Sequence, residues 1–247
     1  MRNFFLNING INNLMLAFVL SCAMACTPDK SEQEPNLTKT FTVNGENFEM
    51  VLVEGGTFMM GGTKEQGKDC EENEKPVHEE KVDSFYIGKY EVTQRLWNAV
   101  IGSEHNPSFN TGCDDCPVEG VSWNDAQVFV TKLSILTKQP FRLPTEVEWE
   151  YAARGGKRSQ GYLYSGSNNA NEVSVSTDNK RGPSPVGTKS PNELGIYDMT
   201  GNVMEYCRDF FDWNFYVTHA DEIAVDPVNA GKLSADGKMI VRGGSFR

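Results

Sequence analysis

Phe141-Arg142-Leu143-Pro144-Thr145-Glu146-Val147-Glu148-Trp149-Glu150-Tyr151-Ala152-Ala153-Arg154-Gly155-Gly156 is the most legible stretch of the chain. Thr145 followed three residues later by Glu148 is a capping box. The threonine hydroxyl accepts a bond from one backbone amide and the glutamate reaches back to another, so two donors that a helix start leaves open are satisfied. Pro144 precedes the box, Trp149 and Ala152 fall on the inward face, and Gly155-Gly156 ends the helix.

The pattern extends upstream. Pro140 marks the end of a helix that Ser122 can cap, with Ala126, Phe129, Val130 and Leu133 at helical spacing. Before it, Thr93 can cap a helix carrying Leu96, Trp97, Val100 and Ile101 on one face. Phe85 to Val92 reads as a strand, as do Phe41-Thr42-Val43 and Phe48 to Val53, which are separated by the turn signal Asn44-Gly45. Gly55 to Gly62 is glycine-rich, but no Gly-Lys-Ser/Thr closes it and no helical pattern follows, so it is not a phosphate loop. It reads as a bulged strand whose backbone packs closely. Lys64 to Lys81, with Asp69, Glu71, Glu72 and Glu74, reads as a solvated charged loop rather than a metal site.

Downstream, residues 156–191 are rich in Gly, Ser and Asn. A stretch of that length needs something to order it, either a bound cation or pairing with distant strands. Met239-Ile240-Val241 reads as a half-buried strand. Short strands, three helices and long loops make an α+β domain.

Six segments, in order, resemble the formylglycine-generating enzyme (sulfatase-modifying factor) family: Val53-Glu54-Gly55-Gly56-Thr57-Phe58-Met59-Met60-Gly61, then Phe85-Tyr86-Ile87-Gly88-Lys89-Tyr90-Glu91-Val92-Thr93, then Pro117-Val118-Glu119-Gly120-Val121-Ser122-Trp123, then the capped stretch above, then Pro191 to Tyr206, and Val241-Arg242-Gly243-Gly244-Ser245-Phe246. The resemblance spans about residues 48–247. It implies a C-type-lectin-like α+β fold over residues 41–247, with limited regular structure, much ordered loop, and its C-terminal part missing from the chain.

The resemblance also implies structural calcium. Calcium takes six to eight hard oxygens. Asp198 and Glu205 can supply carboxylates, and Gly201 permits a turn that aims its own carbonyl and that of Val203 at one point. By resemblance, Asp198, Gly201, Val203 and Glu205 match the family's ligands, and a second site falls near Asn171 and Glu172. The spacing alone also suits a capped turn in which Asp198 bonds its own backbone. Where the family places tryptophans on both sides of the glutamate, this chain has Met204 and Tyr206, both able to fill apolar space. Cys207 reads as a buried free thiol.

Family enzymes oxidise a sulfatase cysteine to formylglycine with dioxygen and copper, held by two cysteines five positions apart directly after the Gly-Gly-Ser-aromatic segment. Here that segment is Gly243-Gly244-Ser245-Phe246, followed by Arg247, the last residue. The catalytic cysteines are expected beyond Arg247, and Ser245 is placed at the active site by resemblance alone. His78, His105 and His219 lie in separate segments without a nucleophile partner, and His78 reads as a structural loop histidine.

The N-terminus indicates the compartment. Arg2 and the apolar run Leu14 to Leu20, too short to span a bilayer, fit an export signal over residues 1–25. Ala25-Cys26 resembles a lipoprotein cleavage box with Cys26 acylated, Cys22 being the competing position, and residues 26–40 read as a polar tether. An exported protein lipid-anchored in the outer membrane is expected. The formal charge of −11 becomes more negative once Arg2 is removed, which argues against nucleic acid and anionic lipid as partners. Outside the cytoplasm, Cys113-Asp114-Asp115-Cys116 reads as a disulfide staple in a loop, with zinc as the alternative. Two functions fit: an oxidase acting on a sulfatase polypeptide, or a non-catalytic lipoprotein using the same fold to bind another envelope protein.

Overall fold

A β-hairpin starts the described part of the domain. β2 (Thr38–Val43) and β3 (Glu46–Val53) pair from Thr38↔Val51 to Val43↔Glu46 around Asn44 and Gly45. Those two residues have φ of 46° and 85°, the left-handed turn that matches strand twist and that Asn-Gly adopts readily. The computed structural model describes residues 5–7, 37–67, 70–175, 182–220 and 237–246.

β6 (Phe85–Gly88) lies antiparallel beside β3, and β1 (Phe5–Asn7) runs between β6 and β7 (Phe141–Arg142), giving the sheet order β2-β3-β6-β1-β7. β1 belongs to the stretch read as an export signal. Cleavage after residue 25 would remove it and open the facing edges of β6 and β7. The lipidation candidates Cys22 and Cys26, the tether up to residue 36, Asp69 and Arg247 lie outside the described residues.

The sheet is buried on both faces. Phe48 and Met50 point into one core and Val51 and Val53 into another. The first core is closed by α1 (Gln94–Ile101) and α2 (Trp123–Thr137), with Trp97 stacked on Phe129 at 5.3 Å. Thr93 and Ser122 cap these helices through their hydroxyls, as the sequence predicts. Buried side chains such as Phe129 and Leu133 each contribute about 1.5–3 kcal/mol of hydrophobic stabilisation.

The second core surrounds α3 (Glu146–Ala153), capped by Thr145 and Glu148. Its burial departs from a one-sided helix: every residue from Glu146 to Ala152 is buried, three glutamates included. One wall is β4 (Gly56–Met60) paired with β5 (His78–Val82). A Cβ at Gly56 would lie 2.5 Å from the Tyr151 hydroxyl, so only glycine permits this approach. β5 corrects the reading of residues 64–81 as loop throughout. His78 is a strand residue, and it alternates inward with Glu80 and Val82.

Within the Gly/Asn-rich stretch, described residues pair at a distance. After the short α4 (Ala170–Val173), β8 (Ser174–Val175) pairs in parallel with β9 (Thr200–Gly201). β10 (Glu205–Phe210) then pairs with β11 (Met239–Arg242), with α5 (Phe215–His219) between them in sequence. No helix among the described residues is long and apolar enough to cross a membrane.

Candidate functional site

Ser245 lies just past β11 and lines a cleft of about 320 Å3 with Val118, Val121, Met204, Tyr206 and Val241. The loop carrying it is fixed by two backbone bonds: Gly201 N–H donates to the Gly243 carbonyl and Phe246 N–H to the Asn202 carbonyl, both at 2.7 Å. Phe246 is buried in a small cluster with Val175 and Val203. At the rim, Phe109 is 86% exposed and Met204 56% exposed. Met204 therefore does not fill interior space in place of a tryptophan, as the sequence suggested, but presents a thioether to solvent. The cleft is open and mainly apolar, with the Ser245 and Tyr206 hydroxyls, Asn110 and Glu119 as its polar groups.

Val203, which lines the cleft, follows a buried polar turn. Asn202, held at φ 58°, donates from Nδ2 to Glu91 Oε2 at 2.6 Å, and Val203 N–H donates to Glu91 Oε1 at 3.0 Å. Ser184 N–H donates to Asn202 Oδ1 at 3.0 Å. Buried polar groups cost stability unless bonded, so these bonds lock the turn that supports the cleft. Nothing in the local sequence pairs Glu91 with a turn more than a hundred residues away.

The four residues matched to a calcium site sit around that turn. Asp198 and Glu205 are 3% and 0% exposed. Gly187 N–H donates to Asp198 Oδ2 at 2.8 Å, and the Trp149 indole donates to Glu205 Oε2 at 2.8 Å. Asp198 thus bonds the loop at Gly187. Both buried carboxylates accept from neutral donors, and carboxylate and carbonyl oxygens are the ligand type that calcium takes. The second matched pair is occupied differently: the Asn171 carbonyl accepts Lys189 Nζ at 2.6 Å, and Glu172 accepts from Ser167 Oγ and Asn169 Nδ2.

Cys113 and Cys116 are joined, with S–S 2.01 Å. The stapled loop covers the start of α1, because Gln94 N–H donates to the Cys116 carbonyl and Arg95 N–H to that of Asp114. Cys207 is fully buried in β10, where burial and the neighbouring Glu146 and Asp209 carboxylates push its thiol well above the ordinary range. Cys70 is partly exposed in the loop facing Gly62. Copper(I) calls for paired thiolates. Among the described residues one cysteine pair is oxidised and the two remaining thiols sit in separate elements, so this set does not fit copper.

Sequence reasoning missed an extended charge cluster beneath a second cleft. Arg242 ion-pairs with Glu150, with Glu74 at 3.4 Å and with Glu146 at 3.6 Å, its guanidinium 5.5 Å from the Trp149 ring. Burial opposes its charge, but Glu150 and Glu146 more than offset that and hold it protonated. Glu150 also accepts from Gly61 N–H and from Arg154 Nε, both at 2.9 Å. Glu148 is held bidentately by Arg142 at 2.7 and 2.9 Å. Burial pushes Glu146 up to about 7, with Arg242 opposing only in part. Nearby, buried His78 faces buried Glu80 at 3.3 Å. Burial opposes its protonation, but Glu80 and the Pro76 carbonyl outweigh that, and its pKa is raised. The available clue was three glutamates in a short helix otherwise built of Val, Trp, Tyr and Ala, for which burial demands partners.

The sulfatase-modifying factor enzyme 1-like domain family matches residues 34–247. A chaperone protein, LppX, of Paenibacillus barcinonensis is 33% identical over 251 residues, covering 79% of this chain and 85% of that protein. The formylglycine-generating enzyme of Thermomonospora curvata is 28% identical over 263 residues, covering 80% and 82%. Among solved structures, Treponema denticola variable protein 1 superposes with a TM-score of 0.64 at 26% identity, covering 85% and 88%.

Proposed function

This chain belongs to the sulfatase-modifying factor enzyme 1-like family, and we propose that it binds an extended segment of another exported polypeptide in the cleft beside Ser245. The observation that carries this reading is the cleft itself, a mainly apolar trough with Phe109 and Met204 exposed at its rim, beside the turn that Glu91 and Asn202 hold. Exposed aromatic and thioether side chains on a preorganised surface suit apolar segments of varied sequence. The similarity to a protein named as a chaperone points the same way. Export and acylation at Cys26 would hold the cleft at the cell envelope, where another envelope protein is the partner.

A second reading is favoured by the same cleft: Ser245 lines it, and the chain resembles a formylglycine-generating enzyme. In that reading the partner is a sulfatase polypeptide and the product an aldehyde. One experiment separates the two. The 247-residue chain is incubated with a cysteine-containing sulfatase peptide, copper(I) and dioxygen, and followed by mass spectrometry and fluorescence anisotropy. Saturable binding with the cysteine unchanged is expected, weakened about tenfold by Phe109→Ala. Conversion to aldehyde would establish the oxidase, and no binding at all would sink both readings.

We also propose that Asp198 and Glu205, with the carbonyls of Gly201 and Val203, hold a structural calcium ion. At a hundredfold excess over its Kd, calcium stabilises by about 2.7 kcal/mol, or roughly 5–10 °C in Tm for a domain of this size. Asp198→Ala and Glu205→Ala are each expected to abolish the shift while Glu172→Ala keeps it. An unchanged Tm in the unmodified protein would overturn the calcium site and leave Asp198 as an acceptor for the Gly187 amide.

A further inference from the structure

A separate pocket of about 150 Å3 lies between α3 and the loop 162–166, and it shares no lining residue with the cleft beside Ser245. The loop wall is internally bonded. Tyr164 and Ser167 exchange backbone bonds at 3.0 and 3.4 Å, and Leu163 N–H donates to Asn168 Oδ1 at 2.9 Å. Ser165 N–H donates to Thr200 Oγ1 at 3.2 Å. A Cβ on Gly166, at φ 93°, would lie 2.8 Å from the Pro191 carbonyl, so the loop packs directly on the segment that carries Glu193. Two polar atoms of the lining residues are left over. Glu193 Oε1 accepts from Gln160 N–H at 2.9 Å, but Oε2 is shielded from solvent and has no partner. Arg242 commits its terminal nitrogens to Glu74, Glu146 and Glu150, while its Nε–H is shielded and unbonded. An acceptor and a donor buried in this way cost stability, and a ligand that serves both recovers it.

We infer that this pocket binds a neutral polyhydroxylated ring, a single sugar unit. The charged lining residues are Glu150 and Glu193 against Arg154 and Arg242, so the signs balance. Glu150 and Arg154 already pair with each other at 2.8 Å. A cation would answer Glu193 but meet the Arg242 guanidinium, and an anion would meet the reverse, so a full charge is disfavoured. A hydroxyl both donates and accepts, and the hydroxyls of one sugar can give to Glu193 Oε2 and take from Arg242 Nε–H. The C–H face of a pyranose ring is apolar, and Trp149, Tyr162 and Tyr164 supply flat apolar surface for it. Tyr162 is 39% exposed, which places part of that surface within reach of an arriving ligand. The inference does not depend on polypeptide binding, because the two sites have no residue in common.

The test uses the whole protein with D-glucose, D-galactose, D-mannose and N-acetyl-D-glucosamine, followed by saturation-transfer NMR. At least one of them is expected to bind with a Kd of about 1 mM, in keeping with a ligand of about twelve non-hydrogen atoms. That affinity should be the same in low and high salt, because no net charge is involved. Glu193→Ala should weaken binding about tenfold, the loss of a hydrogen bond to a charged acceptor. Tyr162→Ala, a partly exposed position that leaves the core intact, should weaken it about fivefold through lost apolar contact. Phe109→Ala should leave it unchanged, and Tm confirms that each variant folds. A sugar that binds equally well as its methyl glycoside identifies the end of a glycan chain as the source, and one that binds only unsubstituted identifies the free sugar; either supports the site. Failure of every sugar to bind overturns the inference. So does binding that neither Glu193→Ala nor Tyr162→Ala weakens, and so does equal binding of tetrahydropyran, a ring without hydroxyls.

Discussion

Replacing Arg242 with leucine is expected to cost about 3–5 kcal/mol at pH 7, the usual penalty for breaking a buried ion pair by removing one partner. The side chain is 16% exposed and serves Glu74, Glu146 and Glu150 together. Glu150 keeps Arg154 at 2.8 Å, whereas Glu146 loses its one arginine partner. In thermal unfolding the loss should appear as a fall in Tm of roughly 6–20 °C. Lysine should not rescue it, because one ammonium cannot reproduce a planar fork spanning three carboxylates above an indole ring. The double variant Arg242→Leu/Glu146→Gln should recover about 1–3 kcal/mol, the coupling expected of groups in one network. A single-variant cost below about 1 kcal/mol would mean that water screens the cluster and the ion pairs do not hold β11 to α3.

The second large effect is on pH dependence, and its sign follows from Glu146. Its folded pKa of about 7 lies above the ordinary 4.5, so the native state holds the proton more tightly than the unfolded chain does. That contribution is complete below pH 4.5 and is lost as pH rises from 4.5 to 7, amounting to about 3 kcal/mol. His78, also raised, contributes stability that is complete below 6.5 and is lost as pH rises through its folded value. Both groups therefore lower stability from mildly acidic towards alkaline pH. Glu146→Gln should match the parent protein near pH 5 and exceed it by about 2–3 kcal/mol at pH 8 in urea unfolding. Adding His78→Gln should flatten the remaining slope. Parallel curves for the parent and Glu146→Gln across that range would show that Glu146 is not desolvated as described.

The difference between what was legible and what was not can be traced to particular residues. Thr93, Ser122 and Thr145 announce their helices because capping acts over three residues, and all three caps form where the local pattern puts them. The Asn44–Gly45 hairpin is equally local. β5 was hidden because its inward positions carry His78 and Glu80, so the alternation that marks a strand reads as charge. The cleft beside Ser245 was legible in part, through the resemblance that points to Ser245, but its exposed rim at Phe109 and Met204 was not.

By itself, then, the sequence determined the helix starts, the hairpin, the family and the identity of the buried turn around Gly201. These depend on neighbours a few residues apart or on motifs that survive divergence. Only the tertiary structure decided that β1 lies between β6 and β7, that Glu91 bonds Asn202, and that Arg242 meets Glu74, Glu146 and Glu150. Those contacts join residues from about 80 to 168 positions apart. A buried charge selects its partner by proximity in a low-dielectric interior, and that proximity is set by the packing of whole elements rather than by any spacing along the chain.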